Sequence, residues 1–298
     1  DKPLGLTSTQ AVARLKRLYN AAKVGHGGTL DPLATGVLPI AFGNATKTVA
    51  WAMDAEKDYE FTITWGVSTA SYDAEGVEIA RSEVRPDRAA ILDALPRFVG
   101  EIEQVPPKFS AIKVDGQRAY DLARDGEDFE LEGRPVTVHA AELLSTEEDV
   151  SATFCVRSGK GFYVRAMARD LAHALGTEGH ITALRRTRVG MFSIENAIGL
   201  TELETLFEGN GNPLEMLAPI ETALGDIPLV DVSPDDAGQI LNGQTVLLLP
   251  HIAEHWRANR SPRDGDERLA VAMEGERAIA LGEVRAGRFQ PVRVFPVV

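Results

Sequence analysis

The stretch Lys57–Val67 constrains the fold most. Tyr59, Phe61, Ile63 and Trp65 alternate with Asp58, Glu60, Thr62 and Thr64. Successive side chains of a strand point to opposite faces, so this pattern describes a half-buried strand. Val136–Leu144 and Ser151–Arg157 also read as strands, and the apolar Gly36–Phe42 reads as a buried strand. Val12, Leu15 and Leu18 fall at helical spacing behind Thr7 or Ser8 as N-cap. Pro86–Val99 and Tyr163–Leu175 read as helices, the second stopped by Gly176, and Leu200–Leu224 reads as helical and acidic. Strands alternate with helices at irregular spacing. This favours an α+β fold, with a mixed, mainly antiparallel sheet and flanking helices, over a doubly wound sheet.

Pro106–Gly126 mixes basic and aromatic residues without a period and reads as an exposed excursion. From about Ile227 the texture changes to short apolar runs broken by Pro and Gly. A small all-β domain is therefore expected over residues 226–298, after a larger domain over residues 1–225.

The 298 residues carry 44% apolar and 25% charged side chains, an ordinary globular composition. Cys155 is the single cysteine, so no intramolecular disulfide can form and a Cys-rich zinc site is excluded. A reducing, cytoplasmic compartment fits that count. No apolar run approaches the ~18–20 residues that span a bilayer, and no signal peptide is visible at Asp1-Lys2-Pro3. A monomer is expected, since no heptad pattern or apolar interface stripe is visible.

The net charge of −13 argues by itself against a nucleic-acid partner. Its distribution is uneven, which a pair of solvated basic faces explains as readily as a binding face. Residues 1–50 hold six Lys/Arg against two acids, and residues 155–190 hold seven against two. These two basic segments, far apart in sequence, could meet on one face. Residues 191–298 are acidic, with 8 basic and 17 acidic groups.

Gly25-His26-Gly27-Gly28-Thr29-Leu30-Asp31-Pro32 is the most informative segment. It is not a dinucleotide fingerprint, because Leu30 stands where the third Gly belongs. The later Gly43–Thr48 is not a P-loop, because Thr46 stands where Gly belongs. What remains is an acid in a rigid setting, with Pro32 restricting the backbone of Asp31 and three glycines allowing close approach. A lone loop Asp before Pro is most often a turn former. Gly159–Arg165 opens a helix whose Arg could fork onto a buried carboxylate and keep it ionised.

Beyond these readings, GHGGTLDPLATGVLPIAFGNATK from Gly25 to Lys47 resembles the catalytic motif of bacterial tRNA pseudouridine synthases of the TruB family. Asp1-Lys2-Pro3 with Gly5 and Thr7-Ser8 resembles its opening motif. Lys57-Asp58-Tyr59 resembles its tyrosine motif, with Asp58 where a basic residue is common. Ser158–Asp170 resembles the block carrying its arginine, and Ala183-Leu184-Arg185-Arg186 the block carrying a pocket leucine. The blocks follow in family order over about residues 1–190.

The resemblance implies roles. Asp31 would be the nucleophile and Arg165 its ionic partner. Tyr59 would stack on the uracil and take part in proton transfer. His26 would help extrude the base, Tyr163 and Leu184 would line the pocket, and Lys2 would support the loop carrying Asp31. Asp73 would help hold flipped nucleotides. Residues 104–134 would form a thumb over the RNA, with Lys108, Lys113 and Arg118 suited to phosphate contacts. The C-terminal domain, with Leu241-Asn242-Gly243-Gln244, resembles the PUA type.

The implied activity is isomerisation of a uridine in the T-loop of tRNA, which requires flipping the base out of its stack. Attack at C1′, attack at C6 and loss of a ribose proton are all open to a carboxylate. No group is lost and no redox change occurs, so no cofactor and no metal are expected. The tRNA T-arm is the expected partner, without a membrane or a required protein partner. Two other readings compete. One is a tRNA-folding protein in which catalysis is secondary. The other is a guided relative needing partner proteins, from which the thumb-like insertion and Leu33-Ala34-Thr35 point away.

Overall fold

A computed structural model of the chain describes residues 1–114, 116–148, 150–209, 211–225, 227–259 and 268–296. The strand Lys57–Trp65 lies inside a seven-stranded sheet, and its burial alternates as its sequence does. Ser151–Ser158 pairs with it antiparallel on one side and Gly179–Val189 on the other. Arg134–Glu147 and then Gly100–Gln104 extend one edge. Phe192–Ser193 closes the other. Only Ala34–Gly36 joins in parallel, setting Ala34 opposite Leu184 and Gly36 opposite Arg186. The α+β fold with a mainly antiparallel sheet is therefore the observed one.

One face of the sheet is apolar and covered. Phe61, Ile63, Trp65, Phe154, Val156 and Ile181 pack against Met167, Ala168, Leu171 and Ala172 of the helix Val164–Ala174. The rings of Phe61 and Phe154 stack at 5.4 Å. Gly179 lets helix and sheet approach, since a Cβ there would meet Ile63, Ala172 and Trp65 at 3.0–3.2 Å. The opposite face carries hydroxyl pairs instead, Thr62 with Thr153 and Thr64 with Thr182.

A second sheet of five strands follows, running Leu229–Asp231, Leu269–Glu274, Arg277–Arg285, Arg288–Val294 and Val246–Leu247 in spatial order. Asp226, at the expected boundary, lies outside the described residues. Two helices, Pro234–Leu241 and Pro250–Asn259, pack on this sheet through Ile240 and Trp256. Short apolar runs signalled the strands but not these helices. Ser233 caps the first, accepting from the Asp236 amide at 3.2 Å. The sheet docks on the larger body where Asn44 Nδ2 and Lys47 Nζ donate to the Pro296 and Val294 carbonyls, each at 2.8 Å.

Two local expectations are corrected. Gly36–Phe42 is not one strand. Ala34–Gly36 pairs into the main sheet while Ile40–Phe42 pairs with Val24–His26, with Pro39 between them. Gly36 has φ of +101° and no room for a Cβ against the Arg186 main chain, which turns the chain out of the first sheet. Leu200–Leu224 is not one helix. It stops at Glu208, and two 3₁₀ turns, Pro213–Met216 and Ile220–Leu224, follow. Gly209, Gly211 and Pro213 break the pattern. Among the described residues, no helix is long and apolar enough to cross a membrane.

Candidate active site

The segment carrying Asp31 is anchored from three directions. At its start, Ser8 Oγ both donates to the Leu30 carbonyl (3.0 Å) and accepts from the Leu30 amide (2.8 Å). Ser8 opens the helix Ser8–Leu18, whose cap is Thr7. The Thr7 hydroxyl accepts from the Gln10 amide and the Gln10 side chain accepts from the Thr7 amide. Beneath the segment, the buried Lys2 Nζ donates to the carbonyls of Leu6 (2.7 Å), Pro3 (3.0 Å) and Pro32 (3.4 Å). Burial pulls its ammonium down to about 8, against the attraction of Asp31. At the end of the segment, Gly36 exchanges main-chain hydrogen bonds with Lys2, and the Val37 amide donates to the Arg186 carbonyl at 2.8 Å.

Asp31 faces Arg165, which lies in the first turn of the helix Val164–Ala174. Arg165 Nη2 stands 2.9 Å from Asp31 Oδ2, with the arginine side chain 7% exposed and the aspartate 38%. The same guanidinium donates to the carbonyls of Ser71 (3.0 Å) and Phe109 (2.9 Å) and lies 3.6 Å from Asp73 Oδ2. Ser71 Oγ donates to Asp73 Oδ1 at 2.5 Å. Between them Tyr72 has φ of +59°, a left-handed conformation that a bulky residue keeps only where its surroundings enforce it. Its carbonyl accepts from the Ile181 amide at 3.0 Å, and Arg169 lies over its ring at 5.2 Å.

A cavity opens on this pair, lined by Asp31, Ala34, Asp73, Arg165, Ile181 and Leu184 among others. Tyr59, on the central strand opposite Arg186, is buried, and burial raises its phenol above the ordinary value while Arg186 opposes the rise. Tyr163 precedes the helix of Arg165. Its amide donates to Gln104 Oε1 (2.8 Å) and its carbonyl accepts from Gln104 Nε2 (3.1 Å). Burial raises its phenol also, eased by a hydrogen bond with Ser110.

The structure thus gathers Asp31, Arg165, Asp73 and Leu184 around one cavity, with Lys2 below. His26 stands apart on the strand Val24–His26, opposite Ile40. Its imidazole is lowered by burial, partly offset by the Gly28 main chain. Lys113 lies exposed on the hairpin Lys113–Val114/Gln117–Arg118, within the segment expected as a thumb. In the sequence, Arg186 reads as one of a basic segment and as part of the block carrying Leu184, with no role of its own. It is in fact buried and donates to the carbonyls of Val37 (2.8 Å), Gly28 (3.1 Å) and Thr29 (3.4 Å). Arginines at 185, 186 and 188 look alike in sequence, and only the strand's register turns the middle one inward. Among the described residues, no group of three His, Cys, Asp or Glu is placed to hold a metal ion.

Comparison with known proteins points the same way. The family model described as "TruB family pseudouridylate synthase (N terminal domain)" matches residues 16–164. The one described as "tRNA pseudouridylate synthase B C-terminal domain" matches residues 165–225. A "tRNA pseudouridine synthase B" of Caulobacter vibrioides is 53% identical over 296 residues, covering 99% of this chain and 94% of the relative. One of Bradyrhizobium diazoefficiens is 51% identical, covering 99% and 84%. Among solved structures, "Crystal Structure of a Cbf5-Nop10-Gar1 Complex" aligns with a TM-score of 0.75 at 28% identity, covering 100% of this chain and 83% of that one. Pseudouridine synthases are isomerases, and the chain belongs to the TruB family of them.

Proposed function

We propose that this chain converts a uridine in the T-loop of tRNA to pseudouridine, with Asp31 as nucleophile. The observation that carries the reading is the Asp31–Arg165 pair, 2.9 Å apart at the floor of a cavity. Two carbonyls and a second carboxylate hold the arginine, so the geometry of the pair is set before RNA arrives.

The reaction breaks the N1–C1′ bond of uridine, turns the base and joins C5 to C1′. The proton leaves C5 and the ring nitrogen regains one. Substrate and product are isomers, so no oxidant or group donor enters the balance. Reaching C1′ requires the nucleotide to leave its stack, at a cost of a few kcal/mol that stacking on an aromatic ring offsets. Tyr59 is assigned that stacking and a part in proton transfer, and Leu184 and Tyr163 the apolar wall. His26 is assigned to base extrusion and Asp73 to holding flipped nucleotides. Lys2 supports the Asp31 segment, and Lys113 contacts phosphate from the thumb over residues 104–134. The chain is taken to act as a cytoplasmic monomer on bare tRNA, with residues 226–298 as a PUA-like accessory domain.

The test is a chemical map of pseudouridine on an unmodified tRNA transcript incubated with the protein and chelator. One new pseudouridine in the T-loop is expected. Asp31→Asn is expected to lower the rate by at least about 10³-fold while tRNA binding persists. Full activity in that variant sinks the assignment. Activity that requires added proteins or a guide RNA sinks the stand-alone reading.

A further inference from the structure

Among the described residues, the largest side chain wholly removed from solvent is that of an arginine, Arg186. Burying a guanidinium is costly unless its donors are used and its charge is compensated. Among the described residues, no carboxylate lies within ion-pair distance of it. Its hydrogen bonds run to three main-chain carbonyls, Gly28 and Thr29 before Asp31 and Val37 after it. Its own carbonyl returns a bond from the Val37 amide. Gly36 is packed so tightly against the Arg186 main chain that no Cβ fits. On the neighbouring strand Tyr59 stands directly opposite.

We infer that Arg186 is a positioning residue for the isomerisation, clamping both arms of the Asp31 segment from the position directly across the sheet from Tyr59. This rests on the roles proposed above for Asp31 and Tyr59. A residue serving stability alone would sit better here as an apolar side chain of similar volume, because unpaired buried charge works against folding. The neighbours sharpen that point. Lys57, also buried, donates to the Met53 and Ala55 carbonyls (2.7 and 2.6 Å), and Arg186 adds to the burial that pulls its ammonium down to about 8. Arg186 likewise disfavours the charge on Lys2. Asp31 is a counter-charge acting on both Lys2 and Arg186. A positive field maintained at a stability cost around one carboxylate is what electrostatic preorganisation requires. Arg165 supplies it by direct contact, and Arg186 from behind, through the backbone that carries the carboxylate.

The test is Arg186→Lys, which keeps the charge but replaces a planar fork by a single point donor. Single-turnover rates on a T-arm stem-loop transcript are expected to fall about a hundredfold. KM and the dissociation constant are expected to stay within about threefold. Combined with Tyr59→Phe, the variant is expected to lose less than the product of the two separate losses, because the residues act together. A melting curve establishes folding, and Arg186→Gln replaces the lysine variant if that one does not fold. A rate within about twofold of the unsubstituted protein, a loss confined to KM, or strictly multiplicative losses in the double variant each overturns the inference. So does failure of both variants to fold, which assigns Arg186 to stability alone. Asp31→Asn in the same assay tests the underlying reading separately. Activity surviving there removes the nucleophile, whatever Arg186 does.

Discussion

The cavity around Asp31 and the hairpin Lys113–Val114/Gln117–Arg118 use charge in opposite ways. On the floor, Arg165 is 7% exposed, and its guanidinium is held by Asp31 and by the carbonyls of Ser71 and Phe109. On the excursion over residues 104–134, Lys108 meets Asp128 at 3.0 Å with side chains 50% and 98% exposed. Such a pair contributes little, because water screens it and two long side chains must be ordered. Arg118 lies 5.9 Å from the ring of Tyr120, again near the surface. Buried charges act on geometry and so on the chemical step. Exposed ones act on encounter with a polyanion, weakly one by one and with strong salt dependence. The two regions also meet. Phe109 and Val105, at the root of the excursion, accept from Arg165 and Arg169, so the excursion is tied to the helix that carries the site.

The largest effect expected from this contrast is at Arg165. Arg165→Met removes the partner of Asp31 and leaves the Ser71 and Phe109 carbonyls without their donor. The single-turnover rate should drop about 10²–10³-fold, with a smaller change in tRNA affinity. A loss confined to affinity would break the comparison. Lys113→Ala should do the reverse. Binding should weaken and the slope of log affinity against log salt should decrease by about 1, with the rate at saturation unchanged. A fall in the saturated rate would place Lys113 with the floor.

The smallest effect concerns His26, whose folded value lies below its ordinary 6.5. The folded state therefore binds fewer protons than the unfolded one as pH falls through 6.5, and stability is lost there. Above 6.5 the contribution is fully present. His26→Asn should flatten the fall of the melting temperature between pH 7 and 5, by a small amount because the ring is only half-buried. An unchanged slope would show that His26 carries no such penalty.

Much of the main sheet was legible because its strands are amphipathic. Lys57–Trp65 announced itself by alternation, and the helix Val164–Ala174 by its period and by Gly176, whose φ is +70°. Asp31 and Arg165 were legible as motif residues, not from local physics, since a loop Asp before Pro has commoner fates. What stayed hidden depends on register and long-range contact. Gly36–Phe42 is mostly apolar, and its break signals, Gly36 and Pro39, fall between two pairings whose partners lie in different sheets. Arg186 looks like its neighbours until the strand is placed. The Ser71–Asp73 turn, strained at Tyr72, and the Gln104 side chain bonding Tyr163 are tertiary features with no local signal.

The parallel pairing of Ala34–Gly36 with Leu184–Arg186 has a consequence for how the protein is made. Arg186 and Val37 are 149 residues apart in sequence, and the contact joins them directly. Closing such a loop costs about 2–3 kcal/mol more entropy than closing one of about ten residues. The antiparallel neighbours Arg134–Glu147 and Ser151–Ser158 need only a tight turn between them. During synthesis the Asp31 segment therefore leaves the ribosome long before the strand and the arginines that fix it. A nascent chain ending before Gly179 holds most of the sheet and the Asp31 carboxylate, yet lacks the strand against which the Asp31 segment is set. On the roles proposed above, competence for reaction thus waits for a strand made about 150 residues after the residue assigned as nucleophile.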